Sequence, residues 1–164
     1  MKTAFLGIGT NLGEREENLR KAISLIEEHI GKVIAASSVY ETEPWGFQSE
    51  TTFLNMAIKV ETVLTPSGLL GRILMVEAMM GRLREGKEYK SRIIDIDILL
   101  FGNRVINNKV LEIPHPRLHE RRFVLVPLHE IGGEIVHPVF DKSISELLKE
   151  CKDDSKVKNY KKII

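Results

Sequence analysis

The chain has 164 residues, enough for one domain with a buried core, and its 43% hydrophobic and 29% charged residues are those of a globular chain. A formal charge of +1 supplies no general field for nucleic acid or membrane, so an anionic ligand must be held by a local cluster. Cys151 is the single cysteine, which excludes an internal disulfide framework. No apolar run reaches the ~18 residues of a membrane span. The apolar start is too short for a signal peptide and soon meets Glu14, Arg15 and Glu16, so a cytoplasmic location is expected.

In chain order, residues 3–8 read as a first strand. Gly7-Ile8-Gly9 and Thr10-Asn11-Leu12-Gly13 then read as a strand-to-helix turn. Leu19, Ala22, Ile23, Ile26 and Ile30 recur at helical spacing, with Gly31 as a stop. Residues 33–40 predict a second strand, and residues 42–51 a loop whose Trp45 either pins it to the body or lines a pocket. Residues 53–62 alternate. Leu54, Met56, Ile58 and Val60 share the core face; Phe53, Asn55, Ala57, Lys59 and Glu61 share the other. Thr65-Pro66 is a helix start, followed by Leu69, Leu70, Ile73, Leu74, Glu77 and Met80, with Gly81 as the end.

Residues 82–92, RLREGKEYKSR, hold five basic residues and no apolar period, which predicts a mobile loop. Residues 93–100 are the best strand, with Ile94, Ile96, Ile98 and Leu100 facing one way and Asp95, Asp97 and Leu99 the other. Gly102 and Asn103 turn the chain into a small excursion around Asn107 and Asn108. Residues 123–126 read as a short strand stopped by Pro127, residues 143–150 as a helix, and the lysine-rich tail 151–164 as partly frayed. The order β, α, β, β, α, β is the split pattern of a ferredoxin-like antiparallel sheet, an α+β fold with helices on one face and loops over the other.

On that open face Asp95 and Asp97 point the same way, about 6 to 7 Å apart along the strand. Such a pair is either an ordinary solvated face or the holder of a divalent cation. With oxygen donors and little His or Cys nearby, the cation would be magnesium rather than zinc. Arg82, Arg84, Lys87, Lys90 and Arg92 precede the pair. Acids that hold a metal beside bases that hold phosphate oxygens form a phosphoryl-transfer arrangement. His115, stiffened by Pro114 and Pro116, is either structural or a ligand contact. Of Arg121 and Arg122, one would sit at the mouth of the sheet face and the other on the surface. Glu77 interrupts an apolar stripe and either anchors an arginine or touches ligand. No P-loop, dinucleotide fingerprint, kinase signature or nucleophile–His–acid set is present.

Read together, LGIGTNLG (6–13), Glu43-Pro44-Trp45-Gly46 with Phe53-Leu54-Asn55, RIIDIDILLFG (92–102) and IPHPRLHERRFVL (113–125) resemble the 6-hydroxymethyl-7,8-dihydropterin pyrophosphokinases of folate biosynthesis. The resemblance runs from residue 3 to about 148. It implies a single catalytic domain that moves diphosphate from ATP to the pterin alcohol, with two magnesium ions on the ATP phosphates. It gives metal binding to Asp95 and Asp97, with Asp95 also bordering the pterin, and catalytic roles to Arg82, Arg92, Asp95 and Asp97. ATP contacts fall to Glu77, Arg84, Arg92, Ile98, His115 and Arg121. The pterin falls to Thr42, Pro44, Trp45, Phe53, Asn55 and Phe123. Tyr89 stands where the family often has tryptophan, and Ser91 where it often has proline, which bears on how residues 82–92 close. The expected partners are two small-molecule substrates, ATP and the pterin, with a monomeric chain and no nucleic acid or membrane. A different metal-dependent phosphotransferase or nucleotide hydrolase would use the same acids without needing Phe53, Asn55 and Phe123. An RNA-binding sheet would have Asp95 and Asp97 repelling phosphate.

Overall fold

The structure, a computed structural model, describes residues 1–43, 52–81 and 93–164. Strand β1 (Lys2–Thr10) leads to helix α1 (Arg15–His29), then β2 (Lys32–Ala36), β3 (Val39–Thr42), β4 (Phe53–Thr62), α2 (Pro66–Met79) and β5 (Asp95–Phe101). The sheet order is β5-β1-β4-β3, with β2 also on β4, and the described pairings are antiparallel. Counting β2 and β3 as one interrupted strand, this is the ferredoxin-like order, in an open sheet.

Period-2 alternation decides which face each helix covers. Leu6 and Ile8 of β1, Leu54, Met56 and Ile58 of β4, and Ile94, Ile96 and Ile98 at and within β5 pack with Leu19, Ala22 and Ile26 of α1 and Leu69, Ile73 and Val76 of α2. The Thr65 hydroxyl accepts from the Gly68 N–H, capping α2 where Pro66 has no N–H to leave unpaired. Gly81, at φ +86°, ends it in the left-handed region. Truncating a fully buried residue here, such as Ile58→Ala, costs about 2 to 5 kcal/mol.

Several expectations are corrected. Residues 33–40 form two strands because Ser37 replaces the ladder: its N–H donates to Ala57 O at 2.9 Å, and its hydroxyl accepts from the Ala57 N–H at 2.9 Å. Gly7 and Gly9 lie inside β1 rather than in a turn. Leu100 joins the Leu99 side, because a register shift opposite Phe5 and Leu6 breaks the alternation. Residues 123–126, expected as a strand, belong to helix α3 (Arg122–Gly132), with Pro127 inside it. Four apolar residues carry no period of their own. Here Leu125 and Leu128, at i and i+3, bury against Ile144 and Leu147 of α4 (Ile144–Glu150) and against Phe5, Ala57, Leu99 and Leu100 of the sheet. This second, smaller core sits on the face opposite α1 and α2, so part of the face expected to be open is roofed. The tail, expected to fray in part, lays strand β8 (Val157–Lys161) against β3.

The excursion after Gly102 is the hairpin β6 (Ile106–Asn107) and β7 (Glu112–Ile113). A cis peptide bond joins Ile113 to Pro114, and the His115 N–H then donates to Leu99 O at 3.0 Å, fixing this segment to the end of β5.

Candidate active site

The face of the sheet left uncovered by α3 and α4 is a pocket. Its floor is β1, flanked by β4 on one side and β5 on the other. The register sets Gly9 between Asn55 and Asp95, and Gly7 between Ala57 and Asp97. Side chains at these positions share one face, so two acids and one amide look toward each other across two residues that have no side chain. Thr42, Phe53, Leu99, Arg121, Phe123, Val124 and Pro127 complete much of the lining.

Asn55 is buried, and its Nδ2 donates to the Thr42 hydroxyl at 2.9 Å. That bond settles the amide orientation and leaves Oδ1 and the second N–H to meet a ligand edge. A Cβ at residue 9 would stand 2.7 Å from Asn55 Oδ1, so only glycine leaves room for that orientation. Sequence reading took Gly7 and Gly9 for part of a turn and gave them no place in the site. Their spacing of two matches that of Asp95 and Asp97, and only the pairing register reveals that the two pairs are neighbours.

Asp95 and Asp97 are half-buried on one face of β5. Among the described residues no three or more His, Cys, Asp or Glu side chains converge as a metal cage. Two carboxylates with an open side suit magnesium, which keeps water and takes substrate phosphates as its other ligands. The oxygen-donor set therefore fits the metal the sequence implies.

His115 stands beside this pair. Burial pushes its pKa down to about 4, helped by the Arg121 and Arg117 charges, while Asp95 pulls the other way. Its Nδ1 accepts from the Arg117 N–H at 3.1 Å. The ring is thus neutral near pH 7 with its proton on Nε2, a hydrogen-bond donor without a charge. Arg121, also buried, holds its guanidinium carbon 5.7 Å from the Phe123 ring centroid, so both side chains form one wall at the start of α3. Arg122, one residue on, is not part of the lining.

Glu77 and Ile98 lie elsewhere. Ile98 belongs to the helix-side core, since its side chain alternates away from Asp97. Glu77 is buried on α2, where Oε2 accepts from the Ile96 N–H at 2.9 Å and holds the backbone midway between the two aspartates. Pro44, Trp45, Arg82, Arg84, Tyr89, Ser91 and Arg92 fall outside the described residues. The neighbouring described positions are anchored. Arg15 donates to Thr52 O at 3.0 Å, the Thr52 hydroxyl donates to Glu41 at 2.8 Å, and the Thr10 hydroxyl donates to Ile93 O.

The model of the 7,8-dihydro-6-hydroxymethylpterin-pyrophosphokinase (HPPK) family matches residues 5–133. The chain is 41% identical over 150 residues to the 2-amino-4-hydroxy-6-hydroxymethyldihydropteridine pyrophosphokinase of Aquifex aeolicus, covering 92% of both. It is 43% identical over 133 residues to the Bacillus subtilis protein of the same name, covering 80% of this chain and 79% of that one. Among solved structures, Plasmodium falciparum HPPK-DHPS with SDX-DHP matches with a TM-score of 0.74. That match covers 92% of this chain and 43% of the other and, at 21% identity, speaks for the fold alone. On the family match and the two bacterial relatives, this chain belongs to the 7,8-dihydro-6-hydroxymethylpterin-pyrophosphokinase family.

Proposed function

We infer that the chain transfers the terminal diphosphate of ATP to the hydroxymethyl group of 6-hydroxymethyl-7,8-dihydropterin, giving AMP and the pterin diphosphate. The observation that carries the reading is the glycine-floored pocket, where Asp95 and Asp97 face Asn55 with Phe53 and Phe123 on the same lining.

The flat pterin would stack between Phe53 and Phe123, each aromatic pair contributing about 0.5 to 1.5 kcal/mol beyond area burial. Asn55, oriented by Thr42, would read the ring edge with its Oδ1 and remaining N–H, and Pro44 and Trp45 would complete that wall. ATP would lie beyond Asp95 and Asp97, its phosphates taking a hydrogen bond from His115 Nε2–H and a charged contact from Arg121. Arg82, Arg84 and Arg92 would bring further charge to the phosphates, with Arg82 and Arg92 acting on the reacting groups. Ile98 and Glu77 would serve from behind β5, Glu77 through the Ile96 N–H. Asp95 and Asp97 would hold two magnesium ions, which when bound neutralise the triphosphate and keep it in line. The pterin hydroxymethyl oxygen forms its bond to the β-phosphorus as the bond from that phosphorus to the α–β bridging oxygen breaks. The alcohol proton would leave either with help from Asp97 or directly to solvent, and AMP leaves. The chain would work as a single catalytic domain, monomeric, in the cytoplasm, on these two substrates and without nucleic acid or membrane.

The test is AMP release from magnesium and ATP with and without the pterin, with mass spectrometry of the pterin product. Stoichiometric AMP and pterin diphosphate are expected. ADP or phosphate appearing regardless of pterin would overturn the reading in favour of another kinase or a hydrolase.

A further inference from the structure

Helix α3 begins with a problem. Its cap residue, Arg121, offers no side-chain oxygen to the first turn; the Val124 N–H turns back to Arg121 O at 3.0 Å, but the Arg122 N–H at the very start needs a partner from outside the helix. The partner comes from the tail: Asp153 Oδ2 accepts from the Arg122 N–H at 3.0 Å. Asp153 is itself held by Ser155, whose N–H and hydroxyl both donate to Oδ1, at 3.0 and 2.6 Å. Two residues further on, Val157 pairs with Thr42 in the sheet.

The stretch from Asp153 to Val157 therefore reaches both sides of the pocket. At one end it fixes the N–H between Arg121 and Phe123. At the other it pairs with the residue that orients Asn55. The far end of α3 is tied to the same strand, because Glu130 accepts from the Ser38 N–H at 2.8 Å and from the Tyr40 hydroxyl at 2.5 Å. These ties hold α3 at both ends, and Phe123, Val124 and Pro127 between them face the lining.

We propose that the C-terminal tail acts, through Asp153, as a positioning element of the pterin pocket, setting the Phe123 wall at its distance from the Thr42–Asn55 wall. The proposal rests on the reading of that pocket as the pterin site. Asp153 is a positioning residue, acting through the first turn of α3 rather than on substrate.

The test uses the full chain and the variants Asp153→Ala, Asp153→Asn, Phe123→Ala and the double variant Asp153→Ala/Phe123→Ala. Pterin affinity is titrated in the presence of magnesium and a non-hydrolysable ATP analogue, alongside KM, kcat and the thermal midpoint. Loss of one helix cap, about 1 kcal/mol converted at tenfold per ~1.4 kcal/mol, predicts that Asp153→Ala weakens pterin binding roughly fivefold, with the loss in KM rather than kcat. Asp153→Asn keeps an acceptor and should stay within about twofold of the parent. The double variant should bind no more weakly than Phe123→Ala, since the cap acts through that wall. Normal pterin affinity in Asp153→Ala, or losses that add in the double variant, overturn the role of Asp153. Unchanged affinity in Phe123→Ala instead overturns the pocket assignment, and the tail's role with it. Should Asp153→Ala not fold, Ser155→Ala loosens the same carboxylate and must shift pterin affinity in the same direction, or the proposal fails.

Discussion

Gly9→Ala is the most direct test of the pocket's geometry. The added methyl would stand 2.7 Å from Asn55 Oδ1, closer than carbon and oxygen can sit. The Asn55 carboxamide must turn away and give up its 2.9 Å bond to Thr42. Returning it to the reading orientation when pterin binds would cost what a buried, stranded polar group costs, about 1 to 3 kcal/mol. That corresponds to roughly fivefold to a hundredfold in pterin affinity. Fluorescence titration of the pterin, with thermal melting to confirm folding, measures the loss. Gly7→Ala is the contrast: its Cβ meets Leu99 at 3.4 Å, an ordinary contact, and does not touch Asn55. Because Gly9 acts through Asn55, the double variant Gly9→Ala/Asn55→Ala should bind no worse than Asn55→Ala. Unchanged pterin affinity in Gly9→Ala, or a loss that adds fully to that of Asn55→Ala, would refute the reasoning.

Asp95→Ala should lower turnover about a hundredfold to a thousandfold and raise the magnesium needed, as expected for removing part of a charge clamp on transferring phosphoryl groups. An unchanged magnesium dependence would make the aspartate pair structural. His115, held near 4 by burial, stays neutral through the range where an ordinary histidine titrates. Its folded pKa lies below the unfolded one, so the stability it contributes is complete above about 6.5 and is lost as pH falls toward about 4, amounting to roughly 3 kcal/mol. Proton NMR of the ring checks this, and a midpoint near the ordinary histidine value would contradict it. Burial raises the Asp153 pKa, but hydrogen bonds from Ser155 and Arg122 outweigh burial and hold it low. The tail's hold on α3 should therefore persist at neutral pH and, as pH falls below the ordinary carboxylate range, weaken only toward the level of Asp153→Asn, since the protonated carboxyl keeps a carbonyl acceptor. Hydrogen exchange at the Arg122 amide reads that directly, and protection unchanged by Asp153→Ala would refute the cap.

What the sequence settled by itself is what local periodicity and short motifs encode. Alternation placed Asp95 and Asp97 on one face and Leu54, Met56 and Ile58 on another. Thr65-Pro66 and Gly81 bounded α2, and the joint motifs pointed to the family. The rest depended on contacts between residues distant in the chain. The four apolar residues from Phe123 became helix because Leu125 and Leu128 found α4 and the sheet. The tail became a strand because β3 offered it an edge. Leu100 changed faces at a register shift against β1. Gly7 and Gly9 gained meaning only once pairing set them between Asn55 and the aspartates. A residue's period is fixed by its own backbone, but its neighbours across a sheet are fixed by register and packing, which only the assembled core determines.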